Sequence, residues 1–314
     1  MTDSPVLSVR NLIVEIPTRF GVLRPVDGVS FDIRPREILG VVGESGAGKS
    51  MCGAAVMGLI DRPGHIAGGE IVLNGERIDN LDQDQMRHIR GKRIGSVFQD
   101  PIASLNPLMT VGEQLVETIR THLPVGQSEA RRRAIELMND VGIPAANSRI
   151  DNYPHQFSGG MRQRIVIALA LCAEPGLIIA DEPTTALDVS VQAQIMALLK
   201  ALCRERDTAI MLITHDMGVI AETTDRVAVL YAGRLAENGP TRDVLTAPRH
   251  PYTRGLMAST PTPVGAVERL SQIPGSMPGL RAIPSGCAFH PRCTERMAIC
   301  ETRQPDSFEK DATT

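Results

Sequence analysis

The sequence predicts an α/β fold built on a mainly parallel sheet, with a helical subdomain and a small loop-rich C-terminal appendage. Three observations support this prediction. Apolar runs typical of strands alternate with helical patterns as far as about residue 250. A helical spacing without strands occupies residues 111–141. After residue 250, prolines become frequent and clear periodicity ends. We therefore expect a main domain at residues 1–250, its helical subdomain at about 101–157, and a C-terminal region at 251–314.

The predicted elements follow one another in a regular order. The first strands are VLSVRNLIVEI, VSFDI and EILGVVG, and the last of these runs into a Gly-rich turn and the helix SMCGAAVMGLI. The next strands are IVLNGERI and RIGSVFQ, and the next helices are VGEQLVETIRTHL, EARRRAIELMNDVG and MRQRIVIALALCA. The series ends with strand LIIADE, helix VQAQIMALLKALCRE, and strands AIMLITH and RVAVLYAG.

Composition excludes several classes of protein. The chain has 314 residues, a net charge of −3 and no basic block longer than Arg131–Arg133, so nothing resembles a nucleic-acid footprint. The N-terminus lacks the basic start and apolar stretch of a secretory signal. The longest apolar run, Ile165–Ala173, is far shorter than the roughly 20 residues of a membrane span. We expect a cytoplasmic protein that reaches a membrane only through a partner.

The stretch GESGAGKS matches the pattern G-x-x-x-x-G-K-[ST] at every fixed position, between a strand and a helix. Such a loop points its backbone N–H groups at phosphate oxygens, and the helix N-terminus adds positive potential. The lysine would reach the β- and γ-phosphates, and the final hydroxyl would bind Mg²⁺. The candidate nucleotide-binding residues here are Gly43, Glu44, Ser45, Gly46, Ala47, Gly48, Lys49 and Ser50.

The strand LIIADE supplies a second half of the site. Its apolar residues predict a buried strand, and Asp181 emerges at the carboxyl end, where a doubly wound sheet places ligands. Asp181 is suited to hold Mg²⁺, directly or through water. Glu182 has the chemistry to orient and polarise an attacking water. The two motifs together indicate nucleotide hydrolysis.

A third motif, FSGGMRQR, lies directly before the apolar helix, and its Ser-Gly-Gly turn is another anion site. With the two motifs above, the sequence resembles the ATP-binding cassette (ABC) ATPases, whose signature loop is usually Leu-Ser-Gly-Gly-Gln. Phe157 and Met161 depart from that pattern. The positions that match it are Ser158, Gly159 and Gly160. The resemblance implies an ABC-type P-loop ATPase, dimeric, with the signature of one subunit closing over ATP held by the other.

The resemblance places further residues. Gln99 matches the glutamine that contacts Mg²⁺ and the lytic water, and Asp188 matches the loop that crosses the dimer interface. His215 would hydrogen-bond the γ-phosphate, and Phe20 occupies the place of the aromatic residue that stacks on adenine. The implied reaction is ATP hydrolysis with Mg²⁺, whose transition-state charge is stabilised by positioned donors. The catalytic set implied by the resemblance is Glu182, His215, Lys49 and Gln99.

ABC ATPases serve several classes of function, and three stretches of this sequence, two of them near its end, favour one class. HPYTRGLMASTP, PSGCAFHPRC and QDPIASLNPLMTVGEQL resemble the ATPases of the dipeptide, oligopeptide and nickel importers. We therefore expect an ATPase that energises import of di- or oligopeptides, with nickel or another small solute as the alternative cargo. A soluble mechanical ATPase acting on DNA or ribosomes is the alternative of another class.

That resemblance also implies partners and a location. The partners are two membrane permease subunits, a second ATPase subunit (a sibling or an identical chain), and an extracytoplasmic substrate-binding protein that acts through the permeases. Nucleic acid is not among them. The location is peripheral, on the cytoplasmic face of the plasma (inner) membrane.

Cys287, Cys293 and Cys300 form a C-x₅-C-x₆-C cluster. This spacing fits zinc poorly, because zinc sites prefer closely paired cysteines. The resemblance to the importer group implies a possible iron–sulfur cluster at this place, because some relatives look as though they carry one. A [4Fe-4S] cluster usually needs four thiolates. Three hypotheses stay open: a cluster completed by residues missing from a shortened chain, a cluster with a non-cysteine ligand such as His290, or three packed thiols.

Overall fold

The computed structural model describes residues 4–185, 187–259 and 272–308. Ten strands run in chain order: β1 (Leu7–Thr18), β2 (Gly21–Ile33), β3 (Ile38–Val42), β4 (His65–Leu73), β5 (Glu76–Arg77), β6 (Ile94–Val97), β7 (Leu177–Asp181), β8 (Ala209–Ile213), β9 (Arg226–Tyr231) and β10 (Arg234–Pro240).

The helices of the described residues alternate with these strands. They are α1 (Lys49–Val56), α2 (Gln83–Ile89), α3 (Val111–His122), α4 (Gln127–Asp140), α5 (Ala146–Arg149), α6 (Gly159–Leu171), α7 (Val189–Glu205), α8 (Met217–Thr223), α9 (Thr241–Thr246) and α10 (Pro251–Ala258). Short 3₁₀ turns lie at Pro154–Gln156, His290–Arg292 and Ala298–Glu301. Among the residues described, no helix combines the length and the apolar character that a membrane crossing requires.

The strands form two sheets of different character. A six-stranded sheet has the order β10-β9-β3-β8-β7-β6 and is parallel except for the antiparallel pair β9–β10. A four-stranded sheet of order β2-β1-β4-β5 is antiparallel throughout. The α/β class and the parallel sheet are as the sequence predicts. The antiparallel sheet is an addition to that prediction, because strand-like runs alone do not reveal pairing direction.

One predicted strand is in fact a hairpin. IVLNGERI was expected to be continuous, but β4 ends at Leu73 and β5 begins at Glu76, which pair with each other. Asn74 and Gly75 between them have φ of 49° and 81°. Asn-Gly with both φ values positive is the preferred two-residue turn of a β-hairpin. The turn dipeptide therefore overrides the strand-like composition on either side.

The hydrophobic core formed by the described residues has three parts. One lies between the two sheets and includes α1, because β1, β2 and the inner faces of β3 and β8 bury their branched side chains there. A second joins α3–α7 to the other face of the parallel sheet. The third packs the C-terminal region, through Tyr252 and Phe289, against β9. This third cluster fixes the C-terminal region beside the loop that follows β3.

The parallel strands bring the candidate site to one edge. β3, β7 and β8 are neighbours in the sheet, with β3 pairing β8 and β8 pairing β7 in parallel. Their carboxyl ends therefore meet, and each is followed by a motif singled out in the sequence. The phosphate loop follows β3, Glu182 follows β7, and His215 follows β8.

Candidate functional site: a phosphate loop and a carboxylate cluster

The loop Gly43–Ser50 joins β3 to α1 and approaches the surrounding backbone closely. Gly48 has φ of 100°, and a Cβ there would lie 2.3 Å from the Pro25 carbonyl oxygen. At Gly43, with φ of 153°, a Cβ would lie 2.3 Å from the Leu230 carbonyl oxygen. Neither position has room for a side chain or a comfortable conformation for one. The two glycines therefore let the loop wrap tightly, with Ser45, Gly46 and Ala47 forming its bend.

Lys49 lies at the first position of α1, under that loop. Its Nζ donates hydrogen bonds to the carbonyl oxygens of Gly43 (2.8 Å) and Glu44 (3.1 Å). Burial lowers its pKa, and the negative charges of Glu182, Asp181 and Glu44 partly oppose that shift. No side chain caps the N-terminus of α1. A cation and unpaired helix amides thus face the same loop, which is the arrangement that binds phosphate.

Ser50 and Asp181 come together from α1 and β7. The Ser50 hydroxyl donates to Asp181 Oδ1 over 3.1 Å. Burial raises the pKa of Asp181, the charge of Glu182 adds to the shift, and Ser50 and Lys49 act against it. A hydroxyl beside a carboxylate supplies the oxygen ligands that Mg²⁺ takes together with phosphates, so these two residues fit that ion.

Glu182 is the centre of a polar cluster. Its Oε1 accepts from His215 Nδ1 (3.0 Å), and its Oε2 accepts from Gln99 Nε2 (3.0 Å) and Thr185 Oγ1 (2.8 Å). Burial acts to raise its pKa, but hydrogen bonds from His215 and Thr185 and the nearby positive charges outweigh it, so the pKa lies below its ordinary value. Glu182 is therefore ionised at neutral pH. It can act as an acceptor for a water proton.

The backbone at Glu182 is strained in a way that serves this placement. Its φ is 48°, in the left-handed region that costs a residue with a side chain about 1 kcal/mol or more. Its N–H is held by the Ile213 carbonyl at 2.8 Å, which ties it to the end of β8. The bend after β7 turns the carboxylate toward Gln99 and His215 instead of continuing the strand.

The residues of the signature loop lie at the start of α6, and α6 packs on different elements from α1, the helix that follows the phosphate loop. The Ser158 hydroxyl caps α6 by accepting from the Met161 N–H, and Asp188 caps α7 by accepting from the Val191 N–H. A Cβ at Gly160 would lie 2.6 Å from Val191 Cγ1, so the two helix starts touch. α6 packs on β6, α3, α4 and α7, whereas α1 packs on β2, β7 and β8. Gly159 and Gly160 form the first turn of α6.

Phe20 lies in the turn between β1 and β2 and is 63% exposed. The guanidinium carbons of Arg19 and Arg281 each lie 4.6 Å from the centre of its ring. Both contacts are of the cation–π type, which is worth little at an exposed site. The ring is therefore accessible for stacking, in competition with two weakly held guanidinium groups.

Cys287, Cys293 and Cys300 pack beside the aromatic cluster of the C-terminal region. Burial raises the pKa of the Cys287 thiol. Within residues 4–185, 187–259 and 272–308, no set of three or more His, Cys, Asp or Glu side chains is arranged to hold a metal ion. His290 Nδ1 lies 2.9 Å from the Cys287 carbonyl oxygen. These residues supply three thiols, one fewer than the four thiolates that a [4Fe-4S] cluster usually takes.

Three residues of the site were not singled out from the sequence. Thr185 bonds the Glu182 carboxylate, while Tyr252 and Arg292 bond Glu44 in the phosphate loop. Thr185 follows Glu182 by three positions, so the sequence next to Glu182 contained a signal for this hydrogen bond. Tyr252 and Arg292 lie in HPYTR and HPRC, which the sequence indicated only as markers of the tail. Their partner lies more than 200 positions away, and no local pattern reveals such a contact.

Solved structures with the same fold are ABC cassettes. A dimeric post-hydrolysis state of the ATP-binding cassette MJ0796 bound to ADP and Pi matches with a TM-score of 0.67 and 28% identity, over 75% of this chain and 99% of that one. CbiO1 from Clostridium perfringens, part of the ABC transporter complex cbiONQ, matches with a TM-score of 0.66 and 26% identity, over 77% and 91%. The fold and the site therefore define an ABC-type P-loop ATPase.

The family models and curated relatives are more specific. Residues 26–185 match the ABC transporter model, and residues 236–300 match the model of the oligopeptide/dipeptide transporter C-terminal region. The oligopeptide transport ATP-binding protein OppD of Bacillus subtilis is 47% identical over 96% of this chain and 85% of its own length. The dipeptide transport ATP-binding protein DppD of Escherichia coli K12 is 44% identical, over 95% and 91%. The chain belongs to the ABC transporter ATP-binding proteins that carry this C-terminal region.

Proposed function

We propose that this chain is the ATP-hydrolysing subunit that energises an importer of di- and oligopeptides. The observation that carries the proposal is the match of residues 236–300 to the oligopeptide/dipeptide transporter C-terminal region, in a chain that also holds a P-loop ATPase site. The curated relatives named above are oligopeptide and dipeptide transport ATP-binding proteins, at 47% and 44% identity. The match of the ATPase domain and the match of the C-terminal region support the same function.

In the proposed reaction, the protein groups position ATP and a water molecule. Lys49 and the loop amides would bind the phosphates, and Ser50 and Asp181 are the residues that would hold Mg²⁺. When bound, Mg²⁺ neutralises charge on the β- and γ-phosphate oxygens. Glu182 accepts a hydrogen bond from the attacking water, because its carboxylate is ionised and already held by three donors.

Gln99 and His215 complete this arrangement. Both now donate to Glu182 over 3.0 Å, so both can turn from the carboxylate toward the water and the γ-phosphate without leaving the site. Phe20 is the residue proposed to stack on adenine, and its exposure supports this role. The catalytic roles proposed from the sequence are thus compatible with the contacts of the side chains.

We further propose that two ATPase subunits enclose the nucleotide. Ser158 and Gly160 open α6, whose first turn is an anion site distinct from the phosphate loop. The neighbouring start of α7, capped by Asp188, lies in contact with it. A second subunit, sibling or identical, can present this surface to the ATP of the first. The dimeric form of the cassette MJ0796 supports the arrangement.

The proposed site for a permease is a groove beside Gln99. It has a volume of about 690 Å³ and is lined by Phe98, Gln99, Ala103 and Thr118 among others. Phe98 and Ile102 expose 44% and 66% of their surface, which favours an apolar partner. We propose that each of the two ATPase subunits receives one permease subunit in this groove, that a substrate-binding protein acts through the two permeases, and that the ATPase lies on the cytoplasmic face of the inner membrane.

The proposed domains follow the same division. Residues 1–250 form the ATPase domain, with a helical subdomain at about 101–157 that contains α3, α4 and α5. Residues 251–314 form the C-terminal region. The packing of α3, α4 and α6 in one part of the core supports the helical subdomain, and the separate cluster around Tyr252 supports the C-terminal region.

The proposed function has no step through an iron–sulfur cluster, since the C-terminal region supplies three thiols and a [4Fe-4S] cluster usually takes four. Packed thiols are the hypothesis that their surroundings support. The packed-thiol hypothesis is tested on anaerobically purified protein by measuring its iron content and its visible absorbance at about 400 nm. Iron-free, colourless protein supports packing, and about four irons per chain would overturn it.

The decisive experiment is reconstitution of the ATPase with its permeases and binding protein in lipid vesicles. We expect di- or oligopeptides to stimulate ATP hydrolysis and to accumulate inside the vesicles. The control is the same complex carrying Glu182→Gln. Stimulation by nickel but not by peptides would contradict the proposed cargo. Copurification with DNA or ribosomes in place of permeases would contradict the transport function altogether.

A further inference from the structure

The C-terminal region contacts the phosphate loop at Glu44 and holds this residue from two directions. The Glu44 backbone N–H donates to the Tyr252 hydroxyl over 2.9 Å. The Glu44 carboxylate accepts from Arg292 Nη1 over 2.9 Å. The carbonyl oxygen of the same residue accepts from Lys49 Nζ at 3.1 Å. Glu44 therefore links the C-terminal region directly to the lysine that faces the phosphates.

Both of these anchors are themselves rigidly placed. Tyr252 is fully buried, and its ring packs edge-on against Tyr231 and Phe289 with centroid distances of 4.6 and 5.4 Å. Burial raises the pKa of its phenol, so the hydroxyl stays neutral and accepts the Glu44 N–H.

Arg292 is held in a similar way, with only 8% of its side chain exposed. Its Nε donates to the Pro274 carbonyl over 2.7 Å, and its Nη1 also lies 3.4 Å from the Tyr231 hydroxyl. A guanidinium with this many partners has little freedom to move away from Glu44. Its ion pair is better ordered than the exposed pairs that contribute almost nothing.

We propose that Tyr252 and Arg292 are positioning residues for the phosphate-binding loop: by fixing Glu44 they hold the Gly43 and Glu44 carbonyls against Lys49, and so set the affinity of the site for ATP. The inference rests on the proposed function, because it assigns a role within the ATPase reaction. It makes the C-terminal region part of the ATP site and not only a tail. Arg281, which lies over Phe20, is a second contact from the same region.

The test separates this role from a purely structural one. Tyr252→Phe keeps the buried ring and removes only the hydroxyl, and Arg292→Met keeps much of the side-chain volume and removes the charge. For each we expect KM for ATP to rise about three- to tenfold, the effect of losing one hydrogen bond or ion pair, with kcat within about twofold. Arg292→Lys keeps the charge and should fall between wild type and Arg292→Met.

Arg254→Met is the matched control. Arg254 pairs with Glu295 over 2.6 Å in the same C-terminal region but has no bond to the phosphate loop. We expect its KM for ATP to equal that of the wild type. A double variant, Glu44→Gln with Arg292→Met, should raise KM no more than Arg292→Met alone, because both changes break one interaction.

The possible outcomes are distinct. If KM is unchanged in Tyr252→Phe and Arg292→Met while kcat is unchanged or falls, the anchors serve only folding and the inference is wrong. An equal rise of KM in Arg254→Met would also overturn it. If the wild-type chain hydrolyses no ATP within its reconstituted complex, the proposed function fails instead, and the positioning role fails with it.

Discussion

At the scale of single residues, the Glu182 carboxylate shows how the chain prepares a reactive group. Donors come from three different segments: Gln99 after β6, Thr185 in the loop after β7, and His215 after β8. Burial acts to raise the pKa of this carboxylate, but hydrogen bonds from His215 and Thr185 lower it further than burial raises it, so the carboxylate stays ionised. The group is available as an acceptor before any substrate arrives.

This arrangement gives a first prediction. In Glu182→Gln the side chain keeps its size but loses its negative charge, so it can no longer accept a proton from water. We expect ATP hydrolysis to fall by about 100-fold or more, while ATP binding is preserved. Turnover assays and equilibrium binding of a fluorescent ATP analogue measure the two effects.

A matched control for that variant is Glu136→Gln on the exposed face of α4, where the carboxylate pairs only with Arg132 on the protein surface. It should hydrolyse ATP at the wild-type rate. A Glu182→Gln protein with wild-type turnover would contradict the role assigned to Glu182.

Residues whose chemistry is local could be singled out from the sequence. Lys49, Ser50 and Asp181 belong to the phosphate loop and the acidic strand end, which are short patterns with a physical meaning, and the structure joins Ser50 to Asp181 by a hydrogen bond. Their roles in binding ATP and Mg²⁺ stay predictions. Tyr252 and Arg292 could not be identified in this way. Their contacts with Glu44 depend on how the C-terminal region packs on β9, which no spacing within the sequence encodes.

At the scale of elements, the helices depend on their first turns. Thr110 caps α3 with a reciprocal arrangement, in which its hydroxyl accepts from the Glu113 N–H and the Glu113 carboxylate accepts from the Thr110 N–H. The segment Thr-Val-Gly-Glu carries this pattern, which we did not single out from the sequence. The antiparallel sheet was not visible, because the same branched residues serve either pairing direction.

The cap of α3 gives a second prediction. Thr110→Ala removes the hydroxyl acceptor and leaves the first-turn N–H groups without a partner, so the free energy of unfolding should fall by about 1 kcal/mol. Denaturant titration measures it. Thr121→Ala, in the same helix, loses only a bond to its own preceding turn and should change stability by less than about half as much. Equal losses in both variants would argue against the cap.

His250 gives a third prediction, about pH. Its Nδ1 caps α10 by accepting from the Tyr252 N–H at 3.1 Å, which only the unprotonated nitrogen can do. Burial lowers the pKa of His250 below its ordinary value of 6.5; Arg254 acts in the same direction, and Glu237 opposes it. The unfolded chain therefore binds the proton more readily. The stabilisation is complete above about pH 6.5 and is lost as pH falls through the lower, folded-state pKa.

The corresponding measurement compares wild type with His250→Asn, whose amide oxygen can cap the helix at any pH. Hydrogen exchange of α10 is followed at about pH 7.5 and about pH 5.5, after correction for intrinsic exchange rates. We expect the protection of wild-type α10 to drop at the lower pH by more than that of His250→Asn. Identical losses in the two proteins would remove His250 as the cause.

At the scale of the whole molecule, the two helix starts that we propose bind phosphate lie on different parts of the fold. α1 packs on β2, β7 and β8, whereas α6 packs on β6 at the edge of the parallel sheet and on the helices α3, α4 and α7. One subunit therefore offers a phosphate loop and, elsewhere, a Ser-Gly-Gly turn that a second subunit can meet. The resemblance to a known family, and not the spacing of residues, was the source of this expectation.

The dimer gives a fourth prediction. In a Glu182→Gln background, which keeps ATP bound, ATP should convert monomer to dimer, as measured by analytical ultracentrifugation. Adding Ser158→Arg places a bulky cation at the start of α6 and should abolish the dimer while leaving ATP binding by the monomer intact. Ser148→Arg on exposed α5 is the control and should still dimerise. A dimer that tolerates Ser158→Arg would place the contact elsewhere.

The bond between Glu44 and Arg292 joins residues 248 positions apart, and this separation sets a delay between the synthesis of the two residues. At a synthesis rate of about 5–20 residues per second, roughly 12–50 s pass between the addition of the first residue and that of the second. β3, which leads into the phosphate loop, pairs with β8 and β9, and both of these strands are synthesised before Arg292. The sheet that supports the loop can therefore form before the guanidinium that anchors Glu44 exists, so this anchor is a late addition to an early motif.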